Sequence, residues 1–465
     1  MKKIKTSMEV LSEQELLLIH DTSLKTLAEM GMNVPNDEVL HMCEERGCEI
    51  DYDRQIVRFP RRVMESFIDT MRAESKNKVQ EEAQQLKGWI STQVSLVDYG
   101  TKQRRYGLRD DNLKLVKLVE KLPNIPVANA AVVPSDVPYD IADAITIADI
   151  HKYSTKPGGT YILTPTGAKY VARINKLLGI RDGYLFETIS PLSFKKDTVD
   201  MALEFAKNGG GLGIAPMAMS SATAPVTISG TLVIETAEVL GSCFLVHMMT
   251  GEYPGFSASC HSIDPRTMLC SFGSPNQALF AVATGQLGKF YGLQGGCNTG
   301  LTDAIMPDFQ GGFEKGVTAA FNSLSGMASI GCQGIVGADQ GFSFEQLVID
   351  NEWLDCYNYI VSGFEVTEEL IGYETIQAAG IAGNFLGEEH TVDHMRDSYW
   401  MSKIFNRDDW SNWMANGEKT VYERAHEFVE RSVAGYRDME PVLSADLCRE
   451  LDNILAEAYK EVEGR

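Results

Sequence analysis

The chain has 465 residues, of which 44% are hydrophobic and 41 are glycine, so it can form a sizeable folded core and is not intrinsically disordered. Its formal net charge of −22 disfavours nucleic acid and anionic membrane surfaces as partners. We find no run of about twenty apolar residues, and no apolar segment follows the basic start MKKIKTSMEV. We therefore expect no membrane span, no signal peptide and a cytoplasmic location.

The nine cysteines and eight histidines show no metal-binding pattern. The cysteines are scattered, odd in number and lack a CxxC pair, which is typical of free thiols in a reducing compartment. The histidines form no HExxH motif, and His390 and His394, four residues apart, have no third ligand nearby. We expect no metal site, although one sequence leaves open a site assembled in three dimensions.

The first 110 residues predict a mixed α+β extension. Ser12 followed by Glu15 is a capping-box pattern, and helical periodicity then continues to Gly31. Asn36 can cap a second helix, and a third is predicted from about residue 61. The segments SLVDYG and QRRYGL, joined by Gly100–Lys102, predict a β-hairpin. We therefore assign residues 1–110 to an N-terminal extension.

From residue 111 onward, helical segments alternate with apolar extended segments. The clearest helices are predicted at 198–208, 228–249, 274–290, 313–329 and 345–361. The eight candidate strands are 126–133, 160–164, 184–189, 212–217, 255–260, 292–297, 332–337 and 363–366.

Eight strands alternating with helices predict an α/β fold, namely a (β/α)8 TIM barrel over residues 111–384. A doubly wound open sheet is the alternative. It is disfavoured because no GxGxxG fingerprint follows the first strand and no Walker sequence is found. Residues 385–465 are predicted to form a C-terminal helical extension packed on the barrel.

A barrel would place functional groups where its strands end. Residues 291–315 are the most conspicuous stretch, because an apolar approach and Gly-Gly-Cys-Asn-Thr-Gly precede a polar group comprising Thr302, Asp303, Asp308, Gln310 and Glu314. A solvated loop capped by Asp308 is the alternative interpretation. Since Asp308 lies nearer to the following helix, Asp303 remains available for function.

Other strand ends carry charged and aromatic residues. Glu187 either projects into the site or is a buried, paired acid, and His261 either faces the site or caps a neighbouring loop. Aromatic residues near strand ends suggest a ligand of apolar or cationic character, because ring faces attract a quaternary ammonium. For each ring, ordinary packing is the alternative. These residues are Tyr99, Tyr106, Phe186, Phe309, Phe342 and Phe344.

Several segments in the same order resemble one family along nearly the whole chain. They include LSEQELLLIHDTSLKTLAEMGMNV, the stretch 219–248, TDAIMPDFQGGFEK, FSFEQLVIDNE and GNFLGEEHT. The chain resembles the trimethylamine–corrinoid protein methyltransferases. In that family pyrrolysine precedes a Ser-Asp-Ala-Lys stretch, whereas here Leu301 precedes Thr302-Asp303-Ala304-Ile305. The chain is therefore more similar to the pyrrolysine-lacking branch.

That resemblance implies transfer of a methyl group from a quaternary amine, such as glycine betaine, proline betaine, carnitine or γ-butyrobetaine. The acceptor would be cobalt(I) of a corrinoid (cobalamin) carried by a cognate corrinoid protein, so this chain would hold no tightly bound cofactor of its own. A corrinoid methyltransferase for a tertiary amine or another methylated compound, or a non-catalytic betaine-binding barrel, remains an alternative. A homo-oligomer is also expected.

Roles for individual residues follow as hypotheses from the resemblance. Rings of Tyr99, Phe186 and Phe342 would surround the ammonium group. Glu187 would add negative potential, and Asp303 would be the catalytic carboxylate. His261 would donate to a substrate carboxylate, and Leu301 would fill the pyrrolysine position as an apolar spacer. The polar wall would be completed by Asn298, Gln310 and His390.

Overall fold

The computed structural model describes residue 4, residues 8–75 and residues 83–464. About half of the chain is helical. Within the described residues the α-helices are α1 (Glu13–Glu29), α2 (Asp37–Glu45), α3 (Arg61–Glu74), α4 (Arg109–Val119), α5 (Ala142–Tyr153), α6 (Pro165–Leu178), α7 (Lys196–Lys207), α8 (Ile228–Thr250), α9 (Pro275–Tyr291), α10 (Phe309–Leu324), α11 (Phe344–Val361), α12 (Glu368–Ile371), α13 (Tyr373–Ala379), α14 (Glu389–His394), α15 (Trp410–Ala415), α16 (Val421–Val433) and α17 (Ala445–Glu463).

The predicted helix starts are confirmed by their caps. The Ser12 side chain accepts from the Glu15 backbone N–H, and the Glu15 carboxylate accepts from Ser12, as a capping box requires. The Asn36 side chain accepts from the Val39 N–H at the start of α2. Helices α7, α8, α9, α10 and α11 all occupy segments predicted to be helical.

The strands are short and lie in six separate small sheets. In chain order they are β1 (Met32–Asn33), β2 (Glu49–Asp51), β3 (Ile56–Arg58), β4 (Lys87–Gly88), β5 (Ser95–Val97), β6 (Arg104–Tyr106), β7 (Gly183–Phe186), β8 (Gly211–Ile214), β9 (Met219–Ser220), β10 (Phe256–Ala258), β11 (His261–Ile263), β12 (Cys270–Ser271), β13 (Gly295–Cys297), β14 (Ser329–Ile330), β15 (Ile335–Val336) and β16 (Gly341–Phe342).

Parallel pairing joins strands that are separated by helices. Strand β7 pairs with β8, β10 with β13, β9 with β11, and β4 with β14. These pairings show a mixed α/β fold, but the sheets do not join into one continuous eight-stranded sheet. The predicted hairpin is confirmed, because β5 and β6 pair antiparallel, and β5 also pairs in parallel with β16.

Three of the eight predicted strands are wrong as regular elements, and a fourth is confirmed only as a short antiparallel strand. Residues 126–133 make only an isolated bridge through Val132 to Gln93, and 160–164 are irregular. Residues 332–337 contain β15, which pairs antiparallel with β16 rather than in a parallel array. Residues 363–366 form no strand and are mostly exposed, because the chain leaves the core after α11.

Helix α8 corrects the expectation that no apolar run is long enough to span a bilayer. Its 23 residues satisfy that criterion by length and composition, with a mean hydropathy of 1.5 over the best window. However, 72% of that window is buried inside the fold, where α8 packs against α1 and α7. Burial on several sides accounts for its apolar composition.

Two large hydrophobic clusters form the core. One joins the N-terminal helices to β7, β8 and α8, with Leu24, Leu27 and Leu240 fully buried. The other joins α4 and α11 to the C-terminal helix α16 through residues such as Leu347 and Ala425. The last helix, α17, packs on α5 and α6. The loops that follow the parallel strands are thereby held on a rigid base.

Candidate functional site

Tyr161, Glu187, Cys332 and Asp339 come from four separate segments and lie close to one another. Glu187 follows β7 and Cys332 follows β14, whereas Tyr161 lies in the irregular segment 160–164 and Asp339 in the turn between β15 and β16. Burial is the main cause that raises the pKa of Tyr161, and the nearby Cys332, Glu187 and Asp339 raise it further. The Cys332 thiol also lies 3.1 Å from the Ser91 hydroxyl, beside this group. These residues are far apart in sequence, so their convergence marks the candidate site.

Glu187 and Asp339 are accessible to solvent and yet largely surrounded by protein. Loss of hydration raises the pKa of both carboxyl groups. The positive charge of Lys195 lowers the pKa of Glu187 and so offsets part of this rise. The Gln93 amide donates a hydrogen bond to Asp339 over 2.7 Å and has the same effect on the pKa of Asp339. Within the described residues neither carboxylate forms a salt bridge. Both carboxylates therefore present negative charge without a salt bridge in the described part of the chain, which favours a nearby cation.

The backbone around Asp339 is strained. Cys332, Ala338 and Asp339 all have positive φ angles, of 63°, 52° and 67°. Aspartate adopts this region fairly readily, but for alanine and cysteine it costs roughly 1–2 kcal/mol each. At Gly331 an added Cβ would lie 2.7 Å from the Asn298 Oδ1 atom, so the loop must pass close to Asn298. Such strain is found preferentially at functional sites.

His261 lies beneath the site as a fully buried, neutral imidazole. Its Nδ1 is 2.8 Å from the Gln277 Oε1 atom, while the Gln277 amide nitrogen donates to the Asn298 carbonyl over 2.7 Å. Gln277 Oε1 therefore accepts, Nδ1 carries the proton, and Nε2 is an acceptor 3.5 Å from the Asn298 amide nitrogen. Burial lowers the pKa of His261 to about 4.

This geometry corrects the predicted role of His261 as a donor to a substrate carboxylate. The imidazole is fully buried, and its single N–H is already used by Gln277. Asn298 lies beside it, half-buried, with its Oδ1 atom accepting from the Cys332 thiol at 3.4 Å. The chain therefore uses His261 to hold Gln277 and Asn298 in place.

Asp303 is held by the neighbouring loop. Its Oδ2 atom accepts from the Ser271 hydroxyl over 2.7 Å and Oδ1 accepts from the Phe272 N–H over 2.6 Å. Burial is the main cause that raises the pKa of Cys270, and the nearby carboxylates of Asp303 and Asp339 raise it further. Asp303 therefore lies near the site and contributes negative potential, while its hydrogen bonds join two loops.

Leu301 and Gln310 flank this loop. Leu301 is fully buried and packs with Phe272, Cys332 and Ile335, so it is an apolar neighbour of the site. Gln310 lies on the exposed surface of α10 and donates to Glu314 over 2.8 Å. That Gln310 forms part of the polar wall stays a prediction: Glu314, to which it donates, also accepts from the Asp303 N–H over 2.9 Å.

The predicted aromatic cage is wrong for Phe186 and Phe342, which are both fully buried in the core. Phe186 stacks on Phe194 with ring centroids 4.2 Å apart, and Phe342 packs edge-on against Phe344 at 5.4 Å. Side chains alternate along a strand, so Phe186 must point away from the side that Glu187 faces.

Tyr99 and His390 are also placed elsewhere. Tyr99 stacks on His426 with ring centroids 3.6 Å apart and lies at a cavity of about 100 Å³ beside α16. The His390 Nε2 atom lies 3.2 Å from the Glu369 carbonyl oxygen, in an exposed segment beyond α11. Neither residue is among those that surround Glu187 and Asp339.

Sequence reasoning missed Tyr161, Gln93 and Gln277 as members of this region. It also missed two buried carboxylates of α8. Glu235 accepts from the backbone N–H groups of Ala218 and Ser259, each at 2.7 Å, and Glu238 accepts from that of Leu192 at 2.7 Å. The sequence did contain a signal for these two residues, namely two glutamates within the apolar run of α8. A glutamate is buried in such a helix only when other groups of the protein form hydrogen bonds or ion pairs with it.

The described residues contain no group of three or more histidine, cysteine, aspartate or glutamate side chains that could hold a metal ion. The described residues surrounding the site supply two carboxylates, a phenol ring, amides, the Ser91 hydroxyl and the Cys332 thiol, whose pKa is raised by burial so that it stays protonated. This set is suited to binding a cation and orienting it. It lacks the nucleophile–base pair that covalent catalysis by the chain itself would need.

Comparison with known proteins identifies the family. The family model described as "Trimethylamine methyltransferase (MTTB)" matches residues 1–463. Trimethylamine methyltransferase MttB of Desulfitobacterium hafniense is 26% identical, with 90% of this chain and 87% of that protein covered. MttB of Methanosarcina barkeri is 27% identical, with 98% and 96% covered.

A glycine betaine methyltransferase of Desulfitobacterium hafniense is 24% identical, with 97% of this chain and 98% of that protein covered. Among solved structures, the hydroxylamine MtmB complex covers 94% of this chain and 96% of its own, with 11% identity and a TM-score of 0.47. The match over residues 1–463 spans nearly the whole chain. The protein is a methyltransferase and belongs to the trimethylamine methyltransferase family.

Proposed function

We propose that this enzyme transfers a methyl group from a quaternary amine to the cobalt of a corrinoid held by a separate protein. The observation that carries the proposal is the pair of solvent-accessible carboxylates, Glu187 and Asp339, whose pKa values are raised by loss of hydration and which lack a salt bridge within the described residues. A permanent cation would relieve this cost, since its charge does not depend on pH.

Leu301 supports a quaternary rather than a tertiary amine. The resemblance places it where the trimethylamine enzymes carry pyrrolysine, and in this structure it is fully buried among apolar side chains. A quaternary nitrogen departs as a neutral amine, so no proton donor or covalent activation is needed. The 24% identity with a glycine betaine methyltransferase favours a betaine as that substrate.

The residues of this chain would act by binding and orientation. Corrinoid cobalt(I) supplies the nucleophile when the partner protein docks. Glu187 and Asp339 would hold the ammonium group by charge, and the ring of Tyr161, which lies near both carboxylates, would contact a methyl group. Leu301 and Phe272 exclude water from one side of the site. Asp303, Asn298 and Gln277 keep the loops in position, so we propose a positioning role for them.

We also propose that the architecture is a closed (β/α)8 barrel. Backbone hydrogen bonds link 126–131 to 157–159 through Ala128 and Ala130, and the pairing of β4 with β14 joins the first and last segments. In this arrangement the barrel begins at Lys87 rather than at residue 111. An experimental structure in which β4 does not pair with β14 would contradict the closure.

An exposed apolar rim near the site is suited to docking of the corrinoid protein. Phe309 is 86% exposed and stacks on Phe313 with ring centroids 6.1 Å apart, and Ile305 of the same loop is also exposed. Exposed aromatic residues are typical of protein interfaces. Phe309→Asp should raise the KM for the corrinoid protein and leave the rate with free cobalamin unchanged; equal effects on both acceptors would contradict docking here.

Binding of a matched pair of ligands tests recognition of the cation. Glycine betaine and 3,3-dimethylbutanoate have nearly the same shape, but only the first carries a positive charge. In isothermal titration calorimetry we expect betaine, or another quaternary amine of a panel, to bind at least tenfold more tightly than its carbon isostere, which keeps the carboxylate but lacks the positive charge. Equal affinity for the two members of the pair would contradict the proposed role of the carboxylates.

A further inference from the structure

The segment that follows α11 has the surface of a buried interface. None of the residues 362–403 is buried, although the segment contains helices α12, α13 and α14 and many large apolar side chains. We call residues 363–397 the arm. Its exposed apolar side chains are Phe364, Val366, Leu370, Ile371, Tyr373, Ile376, Ile381, Phe385, Leu386, Val392 and Met395.

Several polar groups of the arm bond within the arm itself. The Thr367 hydroxyl accepts from the Leu370 N–H, the Thr391 hydroxyl donates to the Phe385 carbonyl over 2.6 Å, and the His390 ring lies against the Glu369 carbonyl. This internal bonding gives the arm a defined shape. The apolar side chains are left facing solvent, which is the reverse of an ordinary monomer surface.

We propose that a second copy of this chain covers the arm. Eleven apolar side chains that each expose on the order of 80 Å² present on the order of 900 Å², which reaches the roughly 800 Å² per partner of a standard interface. Ile381 at the centre of this set is fully exposed. A surface of this size and apolar character is typical of a permanent contact between subunits.

Charge along the arm permits contact between identical copies. The whole chain carries a net charge of −22, so two copies repel each other over most of their surface. Between Leu370 and Gly387, however, Glu374 is the sole charged residue. Pairing the stretch between Leu370 and Gly387 on two copies, as two-fold symmetry does, would therefore bring few like charges together, whereas the two flanks of the arm carry seven acidic residues and one arginine.

Position separates the arm from the site. Helix α11 begins five residues after Asp339 and ends just before the arm, and its 18 residues span about 27 Å. A protein that must bring cobalt to the substrate docks where Asp339 lies, at the other end of α11 from the start of the arm. This step rests on the proposed function, whereas the area, the exposure and the charge pattern do not.

The oligomeric mass of the full-length protein tests the proposal. By light scattering after size-exclusion chromatography, we expect the wild type to have at least twice the 51.3 kDa mass of one chain. The double variant Ile381→Asp and Leu386→Asp should shift to the mass of a monomer at the same concentration. The matched control is Met30→Asp, which places the same charge at an exposed apolar residue after α1 and should keep the wild-type mass.

Circular dichroism and thermal unfolding check that the double variant folds; we expect the fold to persist because neither side chain is buried. As a second measurement, p-benzoylphenylalanine in place of Ile381 should crosslink to another copy of the chain on irradiation. A monomeric wild type, an unchanged mass of the double variant, or a crosslink only to a different protein would overturn the proposal. Because mass is read without substrate, an inactive enzyme that still dimerises would contradict only the proposed function.

Discussion

Two groups of acidic side chains in this protein differ in their access to water and in the partners that compensate their charge. Glu235 of α8 is fully buried, and its oxygens accept from the Ala218 and Ser259 amides. Glu187 and Asp339 are open to solvent, and the one hydrogen bond recorded for the two carboxylates in the described residues comes from Gln93. The first group stabilises loops, whereas the second is available to a ligand.

Asp350 is a further buried carboxylate whose partners all belong to the protein. Asp350 of α11 accepts from the buried Lys315 ammonium over 2.9 Å, from the Gly334 amide over 2.7 Å and from Trp353 over 2.9 Å. Every recorded partner of this carboxylate lies within the fold. A carboxylate whose partners are complete is structural, and a desolvated carboxylate whose partners are incomplete indicates a binding site.

The largest expected effect follows from breaking the Lys315–Asp350 pair. Lys315→Met leaves the Asp350 charge buried without its cation, so we expect the free energy of unfolding to fall by about 3–5 kcal/mol. Chemical denaturation measures it. Lys196→Met is the control, because the Lys196–Asp200 pair lies on the surface, is screened by solvent and should change stability far less. Equal losses in the two variants would contradict the structural role of Asp350.

A second effect concerns pH. The pKa of His261 is lowered to about 4 in the folded protein from an ordinary value of 6.5, so the unfolded chain takes up this proton first. Stability from the neutral imidazole is fully present above pH 6.5 and is lost as the pH falls towards 4, by roughly 3 kcal/mol. We expect His261→Gln to show a shallower loss of stability over this range in denaturation curves. Identical slopes would place His261 in a hydrated environment.

The next prediction compares the two groups of carboxylates directly. Glu187→Gln and Asp339→Asn should each lower the rate of methyl transfer at least tenfold, with the melting temperature unchanged or slightly higher, because a desolvated charge is removed. Glu235→Gln should instead lower the melting temperature, because its new NH2 group would face a backbone donor. Glu252→Gln, at an exposed pair with Arg181, is the neutral control. If Glu235→Gln lowered the rate without lowering the melting temperature, and the Glu187 and Asp339 variants did the opposite, the distinction between structural and ligand-binding carboxylates would be wrong.

The smallest effect is expected at Tyr161. Tyr161→Phe keeps the ring and loses the hydroxyl near Ser91, so we expect a less than threefold change in KM for the quaternary amine. Tyr161→Leu removes the ring face, and a cation–π contact of about 1 kcal/mol predicts a roughly fivefold rise in KM. Steady-state kinetics at several amine concentrations measures both. Indistinguishable KM values for the two variants would show that the ring does not face the cation.

Local patterns predicted the helices well because their signals are local. Ser12 and Asn36 cap helices within three residues of themselves, and the long apolar runs of α8 and α9 required burial wherever they packed. Strands were predicted poorly, because regular pairing here extends over only two to four residues. Segments such as 332–337 and 363–366 have strand-like composition but find no parallel partner.

The site was predicted in part. Glu187, Asn298, Asp303 and Leu301 lie at or beside it, since each follows a short apolar segment. The cage rings failed because composition does not show which face of a strand a side chain occupies, and Phe186 precedes Glu187 by one residue. The convergence of Tyr161 with Asp339 depends on contacts between distant segments, which one sequence does not encode in any local pattern.

The most direct measurement of the central claim is turnover by the wild-type enzyme. Purified protein would be incubated with cob(I)alamin and, in separate reactions, with glycine betaine, proline betaine, carnitine, γ-butyrobetaine and trimethylamine, while the absorbance of methylcobalamin is followed. We predict methylation with at least one quaternary amine and none with trimethylamine. Methylation with trimethylamine, or none with any quaternary amine by folded protein, would contradict the account.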